Sequence, residues 1–252
     1  IIREIAQEHG LSFKLAMIHA EQAKPYLRKK LEAGRIKPLW PTGSLTPEAI
    51  DRAVHIVGMM GAEPFIAALD AGADVVLAGR SSDTSIFASY LIRAGIDHGI
   101  AWHVAKILEC GAACVVHRRN PDCMLAIVRD DHFIMEPMHP ELRCSPQSVA
   151  SHTLYENGDP FHLLEPAGML DTEFARYEAV SDRAVKVSGS RFVPAKQYTV
   201  KLEAVEMAGY QSLVIGGIRD PFFIQQLDAW LAGLRARIVE RVHNVYSGKV
   251  QE

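Results

Sequence analysis

The stretch VVLAGRSSDTSIFASYLIRAG, residues 75–95, changes period at its centre, and that change decides the fold. Asp74–Ala78 is a short apolar run of strand length. From Ser82 or Asp83 onward, apolar residues recur at helical spacing as far as Gly95, a residue type that ends helices. Between the two lies a polar knot, Arg80-Ser81-Ser82-Asp83-Thr84. One reading makes the knot a capped turn, with Ser82 or Asp83 closing the helix and Arg80 a surface charge. The other makes it a ligand site, because ligands of parallel α/β sheets bind beyond the carboxyl ends of strands, where helix N-termini present unpaired N–H groups. On that reading Gly79 lets a ligand approach the backbone, Arg80 pairs with a carboxylate or phosphate, and Ser81, Ser82 and Thr84 supply hydroxyls. Asp83 then moves a proton, holds a substrate hydroxyl or orients Arg80.

Working outward, the first half alternates helices and strands. Residues 1–10 read as a helix ended by Gly10, and Leu11–His19 as a buried strand. Gln22–Gly34 reads as a basic helix, and a further helix is capped by Thr46 with Pro47 at its first position. Val54–Met60 is the next strand, then Gly61-Ala62-Glu63-Pro64 leads into the helix Phe65–Ala71. This alternation predicts an α/β fold with a mainly parallel sheet and flanking helices. After about Val115 the pattern becomes mixed α+β. Met124–Met138 reads as antiparallel strands, and a helix starting at Ser145-Pro146 is expected to run to the turn at Asn157–Pro160. Strands are expected at Tyr177–Val180, Ala184–Val187, Tyr198–Glu203 and Leu213–Ile215, and a long amphipathic helix from Pro221 to about Tyr246. The expected domains are 1–117 and 118–252. The chain opens on Ile1 inside an apparent helix, so it reads as a piece of something longer.

Composition excludes several functions. Lys and Arg number 27 against 30 Asp and Glu, a net charge of −3, so nothing here attracts nucleic acid or an anionic membrane. No apolar run approaches the roughly 20 residues of a bilayer span. The four cysteines, at 110, 114, 123 and 144, match no zinc ladder and read as reduced thiols of a cytoplasmic protein. The 11 histidines show neither HExxH nor paired metal spacing, so no metal site and no cofactor are expected. GxGxxG, GxxxxGK[ST] and GxSxG are all missing from the sequence.

Two further junctions join the candidate site. Gly61–Pro64 places Glu63 at a strand end, where a carboxylate raised toward neutrality by burial could act as a base. The junctions at 61–64 and 79–84 flank one helix, and thus lie at the same end of adjacent crossovers. Gly216-Gly217-Ile218-Arg219-Asp220-Pro221 repeats the architecture, with Asp220 as a cap and Arg219 as a second anion contact. Ser190–Pro194 reads as a loop that could cover a site edge. The candidate set is therefore Asp83 and Glu63 for catalysis, with Gly79, Arg80, Ser81, Ser82, Thr84 and Arg219 for substrate binding.

Four segments carry a family resemblance: GAEPFIAALDAGADVVLAGRSSDTSIFA (61–88), HVAKILECG (103–111), LYENGDPFHLLEPAGMLD (154–171) and VKLEAVEMAGYQSLVIGGIRDP (200–221). Together they resemble the acyclic terpene utilisation family AtuA over most of the chain. The resemblance points to Glu63, Gly79, Arg80, Asp83, Glu109 and Gly111 as motif positions. Relatives typically show GRVTDA where this chain has Gly79-Arg80-Ser81-Ser82-Asp83-Thr84, so Arg80 and Asp83 persist while Ser81 and Ser82 differ. It also implies a further N-terminal α/β portion of roughly a hundred residues, ahead of this chain.

The family name comes from catabolism of acyclic terpenes through CoA thioesters. The resemblance therefore implies a cytoplasmic catabolic enzyme acting on a small carboxylate or acyl-CoA by acid/base chemistry, as a hydratase, lyase or isomerase. The alternative is a non-catalytic binding or assembly module for an acyl-CoA carboxylase or hydratase pathway. A small anion or acyl-CoA is the expected ligand, without nucleic acid or membrane, in a homo-oligomer.

Overall fold

The computed structural model describes residues 1–39, 41–117, 123–211, 213 and 215–245. They form two compact units, Ile1–Met207 and Ala208–Glu252. The first half of unit 1 runs α1 (Ile2–Glu8), β1 (Leu15–Ile18), α2 (Lys24–Glu32), α3 (Pro47–Arg52), β2 (Ala53–Gly58), α4 (Glu63–Asp70), β3 (Val75–Ala78), α5 (Asp83–Arg93) and α6 (His98–Glu109). Then follow β4 (Met124–Val128), β5 (His132–Pro137), α7 (Pro146–His152), β6 (His162–Glu165), β7 (Gly168–Asp171), β8 (Arg176–Ala179), β9 (Val185–Ser188), β10 (Arg191–Pro194) and β11 (Leu202–Glu206). Unit 2 contains α8 (Pro221–Gln225) and α9 (Leu227–Val245).

Local chemistry sets several boundaries as expected. Thr46 accepts from Ala49 N to cap α3, Ser145 and Ser148 form a capping box on α7, and Asp220 accepts from Phe222 N and Phe223 N to cap α8. The helix begun at Ser145 nevertheless stops at His152, short of the Asn157 turn. The expected long helix from Pro221 is broken at Gln226. Tyr246, its expected end, lies outside the described residues. Leu213 and Ile215 lie in no strand, and residues 212 and 214 are outside the described set.

The mainly parallel sheet is not what forms. The described sheets are small and mostly antiparallel: β1 pairs with β3 in parallel, but β2 pairs antiparallel with β11, a strand arriving from the second half. The remaining strands make an antiparallel sheet β4-β5-β9-β8 and a second one, β10-β7-β6. The reason is physical. Hydrophobic periodicity marks where a strand lies but carries no label for its partner; β11 also meets the neighbouring elements through Glu206, bonded to Arg52 of α3, and Glu203, bonded to Arg80 after β3.

Helix α6 organises the core. Its residues from Gly99 to Ile107 are all buried, as a helix enclosed on all sides must be. One face, Ile100, Val104 and Ile107, packs with Phe133 and Met135 of β5 and Val185 and Val187 of β9. The other, Trp102 and Ala105, packs with Ala88 of α5, Leu163 of β6 and Leu170 of β7. Trp102 also stacks on Phe192 of β10, with centroids 5.6 Å apart. Gly99 permits that approach, since a Cβ there would stand 2.4 Å from Ser190 O. Thus α5, α6 and the β6–β7 hairpin are clamped around one apolar seam, at whose end the polar knot emerges.

Candidate functional site

The two junctions singled out from sequence are neighbours. Met60 N donates to Arg80 O at 3.2 Å and Ser82 N donates to Met60 O at 2.8 Å, so the exits of β2 and β3 run side by side through a parallel Met60–Ser81 bridge. Ser82 holds the N-cap position of α5, yet its side chain makes no cap hydrogen bond. Instead the hydroxyls of Ser82 and Thr84, both buried, stand against the carboxyl of Glu165 at the end of β6. Capping therefore does not explain why a hydroxyl occupies position 82.

Glu165 is the chemical centre of the arrangement. Burial pushes its carboxyl up to about 7, against the opposing pull of Ser82, Thr84 and the Lys106 ammonium, while Glu109 adds to the rise. Neither hydroxyl closes a hydrogen bond on Oε2, which is buried without a partner. Such an atom carries the cost of lost hydration unless a proton or a ligand satisfies it.

Glu165 lines a cavity of about 170 Å³. Ser82, Asp83 and Thr84 form one wall, Lys106 and Glu109 of α6 another, and Met59, Leu163 and Leu164 supply apolar surface. Lys106 Nζ donates to Glu109 Oε1 at 2.5 Å, with the two side chains 10% and 6% exposed. The same ammonium lies 5.8 Å from the Tyr155 ring centroid. Glu156 and Asn157 complete the rim. Glu156 has φ of 55°, the one positive φ at a non-glycine among the described residues, a conformation costing about 1–2 kcal/mol for an L side chain.

The other predicted residues have different surroundings. Arg80 Nε donates to Glu203 Oε2 at 3.0 Å and its Nη1 to Asp83 Oδ1 at 3.3 Å. Glu203 is itself paired with Lys201 at 2.7 Å, and its carboxyl is held below the usual range, first by Lys201 and then by Arg80. The guanidinium is thus engaged by two carboxylates. The space at Gly79 is taken by Ala20, whose Cβ would lie 2.8 Å from an added Cβ. Ser81 is buried in the bridge to Met60.

Glu63 is the first residue of α4, and its Oε2 accepts from the Tyr198 hydroxyl at 2.9 Å. That hydroxyl oxygen accepts from Gly61 N at 3.1 Å, and burial, then Glu63, raises the phenol to about 12. Thr199 N donates to Pro166 O at 3.2 Å, which ties this cluster to the residue after Glu165. Arg219 belongs to unit 2, directly before the Asp220 cap of α8.

Structure therefore brings Ser82, Asp83 and Thr84 to one cavity and ties Arg80 to it through Asp83. Glu165 and Lys106 were not singled out from sequence. Lys106 had a signal, since it is the one cation inside the apolar helical run IAWHVAKIL, 100–108. Glu165 had less, because the short β6–β7 hairpin interrupted by Pro166-Ala167 lacks a clean alternation.

Comparison with curated proteins and with solved structures finds no match to the chain. A family model does match, over residues 1–117 and 124–250. By that match, and with the four sequence segments that point the same way, the chain belongs to the acyclic terpene utilisation family AtuA.

Proposed function

We propose that this chain is a proton-transfer enzyme of hydratase, lyase or isomerase type, acting on the short acyl end of a thioester such as an acyl-CoA, with Glu165 as its general acid and base. The observation that supports this most is the Glu165 carboxyl itself, raised to about 7 by burial and lining a cavity. A group titrating near neutrality serves as both donor and acceptor in one turnover. Ser82 and Thr84 offer hydroxyls to a substrate oxygen. The Lys106 ammonium lies where negative charge developing on that oxygen would be stabilised. Met59, Leu163 and Leu164 suit an acyl carbon chain.

Charge selects among the substrates expected from sequence. Asp83, Glu109, Glu156 and Glu165 outnumber the single cation Lys106 around the cavity, which disfavours a free carboxylate at the reacting end and favours a neutral thioester. Arg80, held by Glu203 and Asp83, acts in this reading by positioning Asp83. The test is deuterium uptake from heavy water into a panel of short-chain acyl and enoyl thioesters, read by mass spectrometry. Uptake with the wild-type chain that falls at least a hundredfold in Glu165→Gln supports the proposal, and no uptake with any thioester overturns it.

The alternative of an assembly module draws support from unit 2. Its helices carry Phe222, Phe223, Ile224 and Trp230, with the Phe223 and Trp230 rings 5.2 Å apart. Stable co-purification with a partner, without thioester response, favours that reading.

A further inference from the structure

A second constellation lies at the opposite end of strand β6 from Glu165. His162 opens the strand and stands opposite Asp171, the last residue of β7, in the antiparallel register. Glu173 follows two residues later, its N–H donating to Asp171 Oδ1 at 2.9 Å. One ligand atom from each of these three side chains lies within 4.8 Å of the other two. The His162 Nε2 to Asp171 Oδ1 separation is 4.0 Å. Zinc holds imidazole nitrogen and carboxylate oxygen at about 2.0–2.2 Å, which sets tetrahedral ligand atoms about 3.4 Å apart. Glu173 is exposed and His162 partly so, which leaves the Glu173 carboxylate room to turn toward the other two groups.

The imidazole is also oriented from behind. Asp159 Oδ1 lies 3.4 Å from His162 Nδ1 and is fixed in place by the N–H groups of Phe161 and His162. A carboxylate facing Nδ1 favours the tautomer with the proton there, which leaves the Nε2 lone pair on the side of Asp171. Metal-bound histidines are commonly oriented by a carboxylate in this way. One imidazole with two carboxylates suits a zinc-class ion better than calcium or magnesium, which prefer all-oxygen sites.

We propose that His162, Asp171 and Glu173 form a divalent metal site of zinc class, with Asp159 as the group that orients the histidine and water as the fourth ligand. The expectation of no metal site rested on local spacing in sequence. Here the ligands are brought together by the cross-strand register of a hairpin.

Zinc chloride titrated into the full chain, followed by calorimetry and by competition with a chromophoric chelator, tests the proposal. One saturable site is expected, weakened at least tenfold in His162→Ala and in Glu173→Gln. His55→Ala, which removes an exposed imidazole paired with Glu21 at 3.3 Å, is expected to leave binding unchanged. Glu173 is exposed, so Glu173→Gln remains informative even if His162→Ala fails to fold. Lack of saturable binding, binding unchanged in both site variants, or tighter binding of calcium than of zinc overturns the proposal.

Discussion

Lys106 and Glu109 form an ion pair one helical turn apart in the wall of the cavity, 2.5 Å between Nζ and Oε1. Removing one partner leaves the other charged and buried, at a cost of about 3–5 kcal/mol. Lys106→Met is expected to lose that much in urea denaturation, and Lys106→Met with Glu109→Leu to recover most of it. The single variant is also expected to raise the Glu165 midpoint, since the ammonium favours the carboxylate. A double variant as unstable as the single would assign the loss to packing.

Glu165 makes stability depend on pH with an unusual sign. Its folded value of about 7 exceeds the ordinary glutamate value of 4.5, so between those two pH values the folded chain binds more protons than the unfolded one. Stability is fully present below the lower value and declines as pH rises through the upper, by on the order of 3 kcal/mol. Glu165→Gln keeps the shape without the charge. It should be more stable than wild type at pH 8, equal to it near pH 4, and inactive. Denaturant midpoints across that range check it.

His103 works in the opposite direction. Fully buried, with Nδ1 2.6 Å from Ser190 Oγ, it is pushed by burial down to about 3. Because the unfolded chain takes up a proton near pH 6.5 that the folded chain refuses, stability falls as pH drops from about 6.5 toward 3, by on the order of 5 kcal/mol. Acid unfolding monitored by circular dichroism should be less steep in His103→Gln than in wild type, although that variant starts less stable at pH 7.

Glu156 at φ of 55° offers a separate check on strain. Glu156→Gly relieves the left-handed backbone while adding entropy to the unfolded chain, so stability should change by between zero and about 1 kcal/mol in the stabilising direction. Glu156→Ala gains nothing of the kind. If both variants behave alike in thermal melts, the conformation at position 156 is unstrained.

The knot was legible in sequence because a strand run, a glycine and a helical period meet there, and Ser82, Asp83 and Thr84 do line the cavity. Its partners were not. Glu165 reaches Ser82 through a tertiary contact spanning about eighty residues, and β11 reaches β2 across an even longer gap, neither of which periodicity encodes. Reading alternation as a parallel sheet failed for the same reason. Tyr198, expected in a strand, sits instead in the loop before Leu202, where its hydroxyl is free to meet Glu63.

A direct titration of the Glu165 side chain gives the sharpest test. With carbon-13 label in glutamate carboxyls and Glu165→Gln used to assign the resonance, its chemical shift is followed from pH 3 to pH 9. A single midpoint at about 7 is expected. A midpoint between 4 and 5, the range of a solvated glutamate, removes the acid/base centre from this cavity.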